Sequence, residues 1–308
     1  MGQSTLAGSR QLREQIHALR TSRNAVILSH NYQLDEVQDI ADFVGDSLEL
    51  SRRAAATTAD VIVFCGVRFM AEIAALLIPS RTVLLPDPLA GCPLCDMAPV
   101  EEVRRWKSER PDLPVVSYVN TSADVKAESD ICCTSANALK VVESVSAPEV
   151  LFLPDRNLGA WVARHTEKKL HLWNGYCPTH QRITADEIRE LKSAHPEAAV
   201  MVHPECTPEV IDVADAVLST SGMLRYARET SAQTIIVGTE VGLLHRLRQE
   251  NPAKQFLPAS PRAVCPNMKL NTLEKILWAL EENVHRIVIP EEIRVPAKRA
   301  IDRMLEIA

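Results

Sequence analysis

The sequence predicts an α/β protein made of three related three-layer αβα domains, each with a parallel sheet, set about a pseudo-threefold axis with the active site at their common centre. Three observations carry this. Cysteine turns recur at Gly91-Cys92-Pro93, Gly175-Tyr176-Cys177-Pro178 and Val264-Cys265-Pro266, so that Cys92, Cys177 and Cys265 are spaced by 85 and 88 residues. A fixed period of this kind signals repeated architecture. His30, Tyr118 and His203, each closing an apolar run, keep steps of 88 and 85 residues. Ser47, Ser135 and Thr220 lie 17 residues further on, each with an aspartate five places earlier (Asp42, Asp130, Asp215) and a base five places later (Arg52, Lys140, Arg225). Finally, the apolar runs are continuous and each is followed by a helical pattern, as in parallel strands covered on both faces.

Taken in order, residues 12–19 read as an amphipathic helix and 26–29 as a strand ending at His30-Asn31-Tyr32. A helix over 34–40, a short strand at 43–44 and a helix over 48–56 follow. Strands at 61–65 and 82–85 flank a helix over 70–77, which Pro79 ends. The second third repeats the order with strands near 115, 131, 150–153 and 170–172, and the last third near 199, 216, 234–237 and 256–257. Helices over 272–282 and 296–307 are expected to pack back on the body. Domains of 1–105, 106–190 and 191–308 result, the first with the N-terminal helix and the last with the C-terminal ones.

Composition narrows the function. With 308 residues, a net charge of −6 and no basic stripe, the chain is not built to bind nucleic acid, which needs clustered Lys and Arg. No run approaches the roughly 20 apolar residues that span a bilayer, and no secretory leader is visible, so no membrane partner and a cytoplasmic location are expected. Eight cysteines in such a compartment are thiols, metal ligands or redox groups before they are disulfides.

The repeated polar residues all fall beyond the carboxyl ends of strands, where open α/β sheets bind ligands. Three thiolates from Cys92, Cys177 and Cys265 can hold a metal centre with one position open, and both zinc and an iron–sulfur cluster suit them. Buried apolar thiols are the alternative for these three, and packing is the better explanation of Cys65, Cys132, Cys133 and Cys206. Cys95 makes the one C-x-x-C, with Cys92. Ser47, Ser135 and Thr220 can be helix N-caps, anion-binding groups at helix N-termini, or both. His30 and His203 share a strand-end register, and Tyr32 and Glu205 are candidates for proton transfer.

Many segments then match one family. His30-Asn31-Tyr32-Gln33, the run 39–47, Tyr118-Val119-Asn120, Thr134-Ser135-Ala136-Asn137, the run 154–159, Cys177-Pro178-Thr179-His180-Gln181, His203-Pro204-Glu205-Cys206 and Cys265-Pro266-Asn267-Met268-Lys269 resemble quinolinate synthase, the A protein of de novo NAD biosynthesis. The resemblance implies a 4Fe-4S cluster on Cys92, Cys177 and Cys265 with one open iron. It implies condensation of iminoaspartate with dihydroxyacetone phosphate to quinolinate, phosphate and two waters, with L-aspartate oxidase or aspartate dehydrogenase supplying iminoaspartate. Carried over by position, His30, Ser47, Tyr118, Asn120, Ser135, His203, Glu205 and Thr220 bind substrate, while Tyr32, His203 and Glu205 are catalytic. Tyr176 departs from the histidine common beside the central cysteine. A zinc lyase on the same thiolates and a non-catalytic redox sensor are the competing readings.

Overall fold

The computed structural model describes the backbone of residues 2–307 and the side chains of residues 10–307. The chain divides into two compact units, Met1–Cys92 with Pro266–Glu291, and Pro93–Cys265 with Glu292–Ala308.

The first unit holds one parallel sheet of β1 (Ala25–His30), β2 (Phe43–Gly45), β3 (Val61–Cys65) and β4 (Thr82–Leu84), in the order β2-β1-β3-β4. Ile16 of the helix Gly2–Ser22 packs with Ile27, Val63 and Leu84, and the returning helix Leu273–Glu282 closes this core with Ile276 and Leu280. Each such side chain contributes roughly 1.5–3 kcal/mol on burial. The segment 285–287 then runs antiparallel to β4, Ile287 N–H reaching Val83 O at 2.9 Å. The helix 273–282 therefore belongs with the first sheet, because its apolar face completes that core.

The second unit holds two sheets of the same design. One comprises β5 (Val115–Tyr118), β6 (Ile131–Cys133), β7 (Glu149–Leu153) and β8 (Lys169–Leu172), ordered β6-β5-β7-β8. The other comprises β9 (Ala199–Val202), β10 (Ala216–Val217), β11 (Thr234–Gly238) and β12 (Gln255–Pro258), ordered β10-β9-β11-β12. All pairings are parallel. The molecule is thus α/β with three four-stranded parallel sheets flanked by helices. In each, the chain leaves the first strand one way and returns on its other side, which makes the carboxyl ends of the first and third strands the natural ligand crevice.

The repeated aspartates are structural latches. Asp42, Asp130 and Asp215 each accept, at 2.8 Å, the N–H of a first-strand residue, Ile27, Val115 and Val200. Their own N–H groups return to the carbonyls of the same residues at 2.9, 3.0 and 2.9 Å. The paired bases Arg52, Lys140 and Arg225 are exposed. Cys65, Cys132, Cys133 and Cys206 are fully buried, and burial pushes the Cys132 thiol up to about 12. They are core residues, as expected.

Helices at both ends of the chain are longer than expected: the first runs Gly2–Ser22 where 12–19 is expected. The last helix is Glu291–Ile307, with Pro296 inside it and not at its start. The proline removes one intrahelical N–H, and the buried face of Ala297, Ala300, Ile301 and Met304 maintains the helix around it. No helix among the described residues is long and apolar enough to cross a membrane.

Candidate active site

Within the second unit, polar side chains gather at the carboxyl ends of β5, β7, β9 and β11. Tyr118 is the last residue of β5, and His203 directly follows β9; both are buried. His203 Nδ1 lies 3.3 Å from both the Glu205 backbone nitrogen and Oε2, and Nε2 lies 3.2 Å from the Ser135 hydroxyl. Glu205 Oε2 sits 3.0 Å from His180 Nδ1 and 3.3 Å from His203 Nδ1, between two imidazoles stacked with centroids 4.7 Å apart. Burial opposes the Glu205 charge, but the flanking His180 and His203 hold its carboxyl well below the usual carboxylate range. Burial likewise pushes the His203 imidazolium down. Two acceptor oxygens of this unit, Glu205 Oε1 and Asn120 Oδ1, are buried with no hydrogen-bond partner. A buried acceptor left so costs about 1–3 kcal/mol.

The cysteine turns of this unit are suspended from carboxylates. Cys177 N–H donates to Asp155 Oδ2 at 3.1 Å, and Cys265 N–H donates to Glu240 Oε1 at 3.0 Å. Asp155 also caps the helix Arg156–Ala163 by accepting Leu158 N–H at 2.8 Å, and Glu240 accepts Gly242 N–H at 2.7 Å. Both acids are essentially sealed from solvent, at 0% and 1% exposure. Burial and the charge of Glu205 push the Asp155 carboxyl well up, against its N–H donors. The cysteines themselves are half-buried. Cys177 Sγ lies 3.2 Å from His180 Nδ1, and the ligand atoms of Cys177, His180 and Glu205 fall within 4.8 Å of one another, a group able to hold a metal ion. His180 Nε2 is fixed by the Thr239 hydroxyl at 2.9 Å. Gly175 is required in the turn, because a Cβ there would collide with the Pro154 carbonyl oxygen.

The first unit carries its own set. His30 ends β1, its Nδ1 accepts the Tyr32 N–H at 3.2 Å, and the two rings meet edge to face at 4.6 Å. Lys269 Nζ donates to the Tyr32 carbonyl at 2.5 Å. The Cys92 turn is held by Asn267, whose Nδ2 donates to Gly91 O at 2.8 Å, and by Asp87, which accepts Leu89 N–H at 2.7 Å and pairs with Lys275 at 2.5 Å. One backbone bond recurs in all three turns: Arg68 N–H to Ala90 O at 2.7 Å, Arg156 N–H to Gly175 O at 2.8 Å, and Val241 N–H to Ala263 O at 3.0 Å.

The capping alternative for the repeated hydroxyls is overturned. Asp46 caps the helix Ser47–Ala56 in a capping box with Glu49, Ser219 caps Thr220–Glu229, and Asn137 occupies the cap position of Ala138–Ser144. Ser47 and Thr220 are first helical residues, and Ser135 lies two positions ahead of its cap, bonded to His203. At Ser47 and Thr220 the preceding residue supplies the cap, because a residue still in extended backbone can turn its oxygen onto the N2 or N3 amide. The structure thus gathers Ser135, His203 and Glu205 and adds His180, Asp155, Thr239 and Glu240, which sequence reasoning did not single out. Asp155 and Glu240 were detectable, since they keep the same 85-residue step as the other repeated positions.

The family model for the quinolinate synthetase A protein matches residues 14–306. A Geobacter species has a quinolinate synthase 57% identical over 296 residues, covering 96% of this chain and 97% of that protein. That of Thermodesulfovibrio yellowstonii is 58% identical over 293 residues, covering 95% and 97%. The Geobacter metallireducens enzyme is 56% identical over 296 residues, with 96% and 97% covered. Identity of this degree along nearly the whole chain, with its repeated cysteine turns and strand-end histidines, makes it a member of the quinolinate synthetase A family.

Proposed function

We propose that the protein is a quinolinate synthase of NAD biosynthesis, condensing iminoaspartate with dihydroxyacetone phosphate to quinolinate with release of phosphate and two waters. The observation that carries this is the pair of buried, unpartnered acceptors Glu205 Oε1, beside His203, and Asn120 Oδ1, two residues past β5. A polar ligand that brings donors to both removes their cost. On this reading Asn120 Oδ1 accepts from a hydroxyl or imine N–H of the substrates, and Ser135, Tyr118, Thr220, His30 and Ser47 bind their carboxylates and phosphate. The helix N-terminus at Thr220, capped by a neutral serine, favours such an anion.

The donor set fits an iron–sulfur cluster. Cys177 and Cys265 are half-buried on turns fixed through their own N–H groups, whereas the core cysteines are sealed and their thiols pushed up. Cys92, Cys177 and Cys265 would be its three ligands. When bound, such a cluster supplies an open Lewis-acid iron for the departure of a hydroxyl group. Glu205, kept ionised by His180 and His203, takes a proton at Oε1; Tyr32 handles the second proton; His203 fixes the Ser135 hydroxyl and Glu205 together. L-Aspartate oxidase or aspartate dehydrogenase would supply the labile imine.

A second reading, a single divalent metal on Cys177, His180 and Glu205, is favoured by the 4.8 Å grouping of their ligand atoms. Iron, sulfide and zinc analysis of anaerobically purified protein, followed by incubation with iminoaspartate and dihydroxyacetone phosphate, separates the two. Acid-labile sulfide with quinolinate formation is expected. One zinc per chain, no sulfide and no quinolinate would defeat the proposal.

A further inference from the structure

The candidate residues Tyr32, Asn120 and Glu205 are equivalent, separated by 88 and 85 residues, and each lies in the short loop after a first strand, Tyr32 and Asn120 as the second residue past β1 and β5 and Glu205 as the third past β9. Two of the loops are gripped in the same way from the helix that follows. Gln38 Nε2, on the helix Asp35–Ile40, donates to the carbonyls of Asn31 at 3.3 Å and Gln33 at 3.0 Å, the residues on either side of Tyr32. Lys126 Nζ, on the helix Ala123–Ala127, donates to the carbonyls of Val119 at 2.8 Å and Thr121, the residues on either side of Asn120, and reaches the Thr121 hydroxyl at 3.4 Å. Gln38 and Lys126 are themselves 88 residues apart. In the third copy the position is Ile211, a core residue, and Asn157 Nδ2 holds the Glu205 carbonyl instead at 3.0 Å.

Lys126 is 0% exposed. Burying an ammonium costs several kcal/mol, and an apolar side chain of similar size usually serves packing as well or better. What the lysine adds is three donors on a short stem end, and three oxygens of one loop receive them. We propose that Lys126 is a positioning residue that fixes the loop so that Asn120 Oδ1 faces the substrate, and that Gln38 does the same for Tyr32. The proposal rests on the assignment of Asn120 to substrate binding made above.

The test is equilibrium binding of quinolinate to the anaerobic, cluster-loaded full chain, with iron content and melting temperature recorded for each variant. Lys126→Met is expected to weaken binding about tenfold, the upper end of what one aligned hydrogen bond contributes. Lys126→Gln, which reproduces the donor found in the first copy, should stay within about threefold of wild type. In an Asn120→Ala background, Lys126→Met should change binding by less than about twofold, because a residue acting only through Asn120 has nothing left to position. Equal losses in both backgrounds, or a glutamine variant as damaged as the methionine one, would overturn the proposal. Should Lys126→Met fail to fold, the glutamine variant decides alone on the same limits. If the wild-type chain neither forms nor binds quinolinate, the functional reading falls while the clamp is still testable. Amide exchange at Thr121 should then quicken about tenfold in Lys126→Met, and unchanged exchange would refute the clamp.

Discussion

The cysteine turns of the two units meet one demand with different means. Cys177 and Cys265 hang from Asp155 and Glu240, sealed carboxylates two residues past the third strand of their own sheets. At the equivalent place in the first unit stands Val67, and the Cys92 turn is held by Asn267 and the Asp87–Lys275 pair, three groups outside that register. The backbone bond common to all three turns shows that the geometry is what the repeats share. The side chains that secure it were free to change. Two turns are therefore secured locally, and one depends on chain that returns nearly two hundred residues later.

The largest expected effect tests whether the turns exist for a metal centre. Cys177→Ala should lose the bound iron and all quinolinate formation, and iron retained at wild-type stoichiometry would count against the ligand assignment. Asp155→Asn comes next. An amide cannot accept both the Cys177 and Leu158 N–H groups in the same way, so urea unfolding should show a loss of about 1–3 kcal/mol together with faster alkylation of Cys177 in cluster-free protein. Val67→Ala should leave Cys177 alkylation unchanged. Asn267→Ala is expected to have a smaller effect, about 1 kcal/mol, with faster alkylation confined to Cys92. Alkylation of all three cysteines rising together would show that the turns are not secured separately.

The smallest effect depends on pH. Burial works against the Asp87 charge, but hydrogen bonds from Lys275 and Leu89 hold its carboxyl below the usual carboxylate range. A carboxyl depressed by folding contributes stability above its unfolded value, about 3.9, and loses it as pH falls through the lower folded value. The stability gap between wild type and Asp87→Asn should therefore be constant from neutral pH to about pH 5 and close below pH 4. A gap that persists in acid would mean that Asp87 acts by packing alone.

The fold was legible because parallel strands leave long apolar runs and repeats leave a period. The strands near 61, 150 and 234 come out within a residue or two of β3, β7 and β11. Local propensity makes Pro296 look like the start of the last helix, which begins five residues earlier, at Glu291. The candidate site was half legible. Ser135, His203 and Glu205 follow from register, and so would Asp155 and Glu240 have done. His180 and Asn267 could not, since a stacking partner and a donor from a distant segment leave no periodic trace. Tyr176 lies under the Arg156 guanidinium at 4.8 Å, a contact that a register argument has no means to foresee.

The helix Leu273–Glu282 has a consequence for how the protein is made. A nascent chain that has left the ribosome as far as Cys265 already contains all eight strands of the second unit, but it lacks Ile276 and Leu280, which cover Val63 and Leu84. The portion synthesised first must therefore wait for almost the last to emerge before its apolar layer is shielded, and during translation β1–β4 are the stretch most in need of a chaperone.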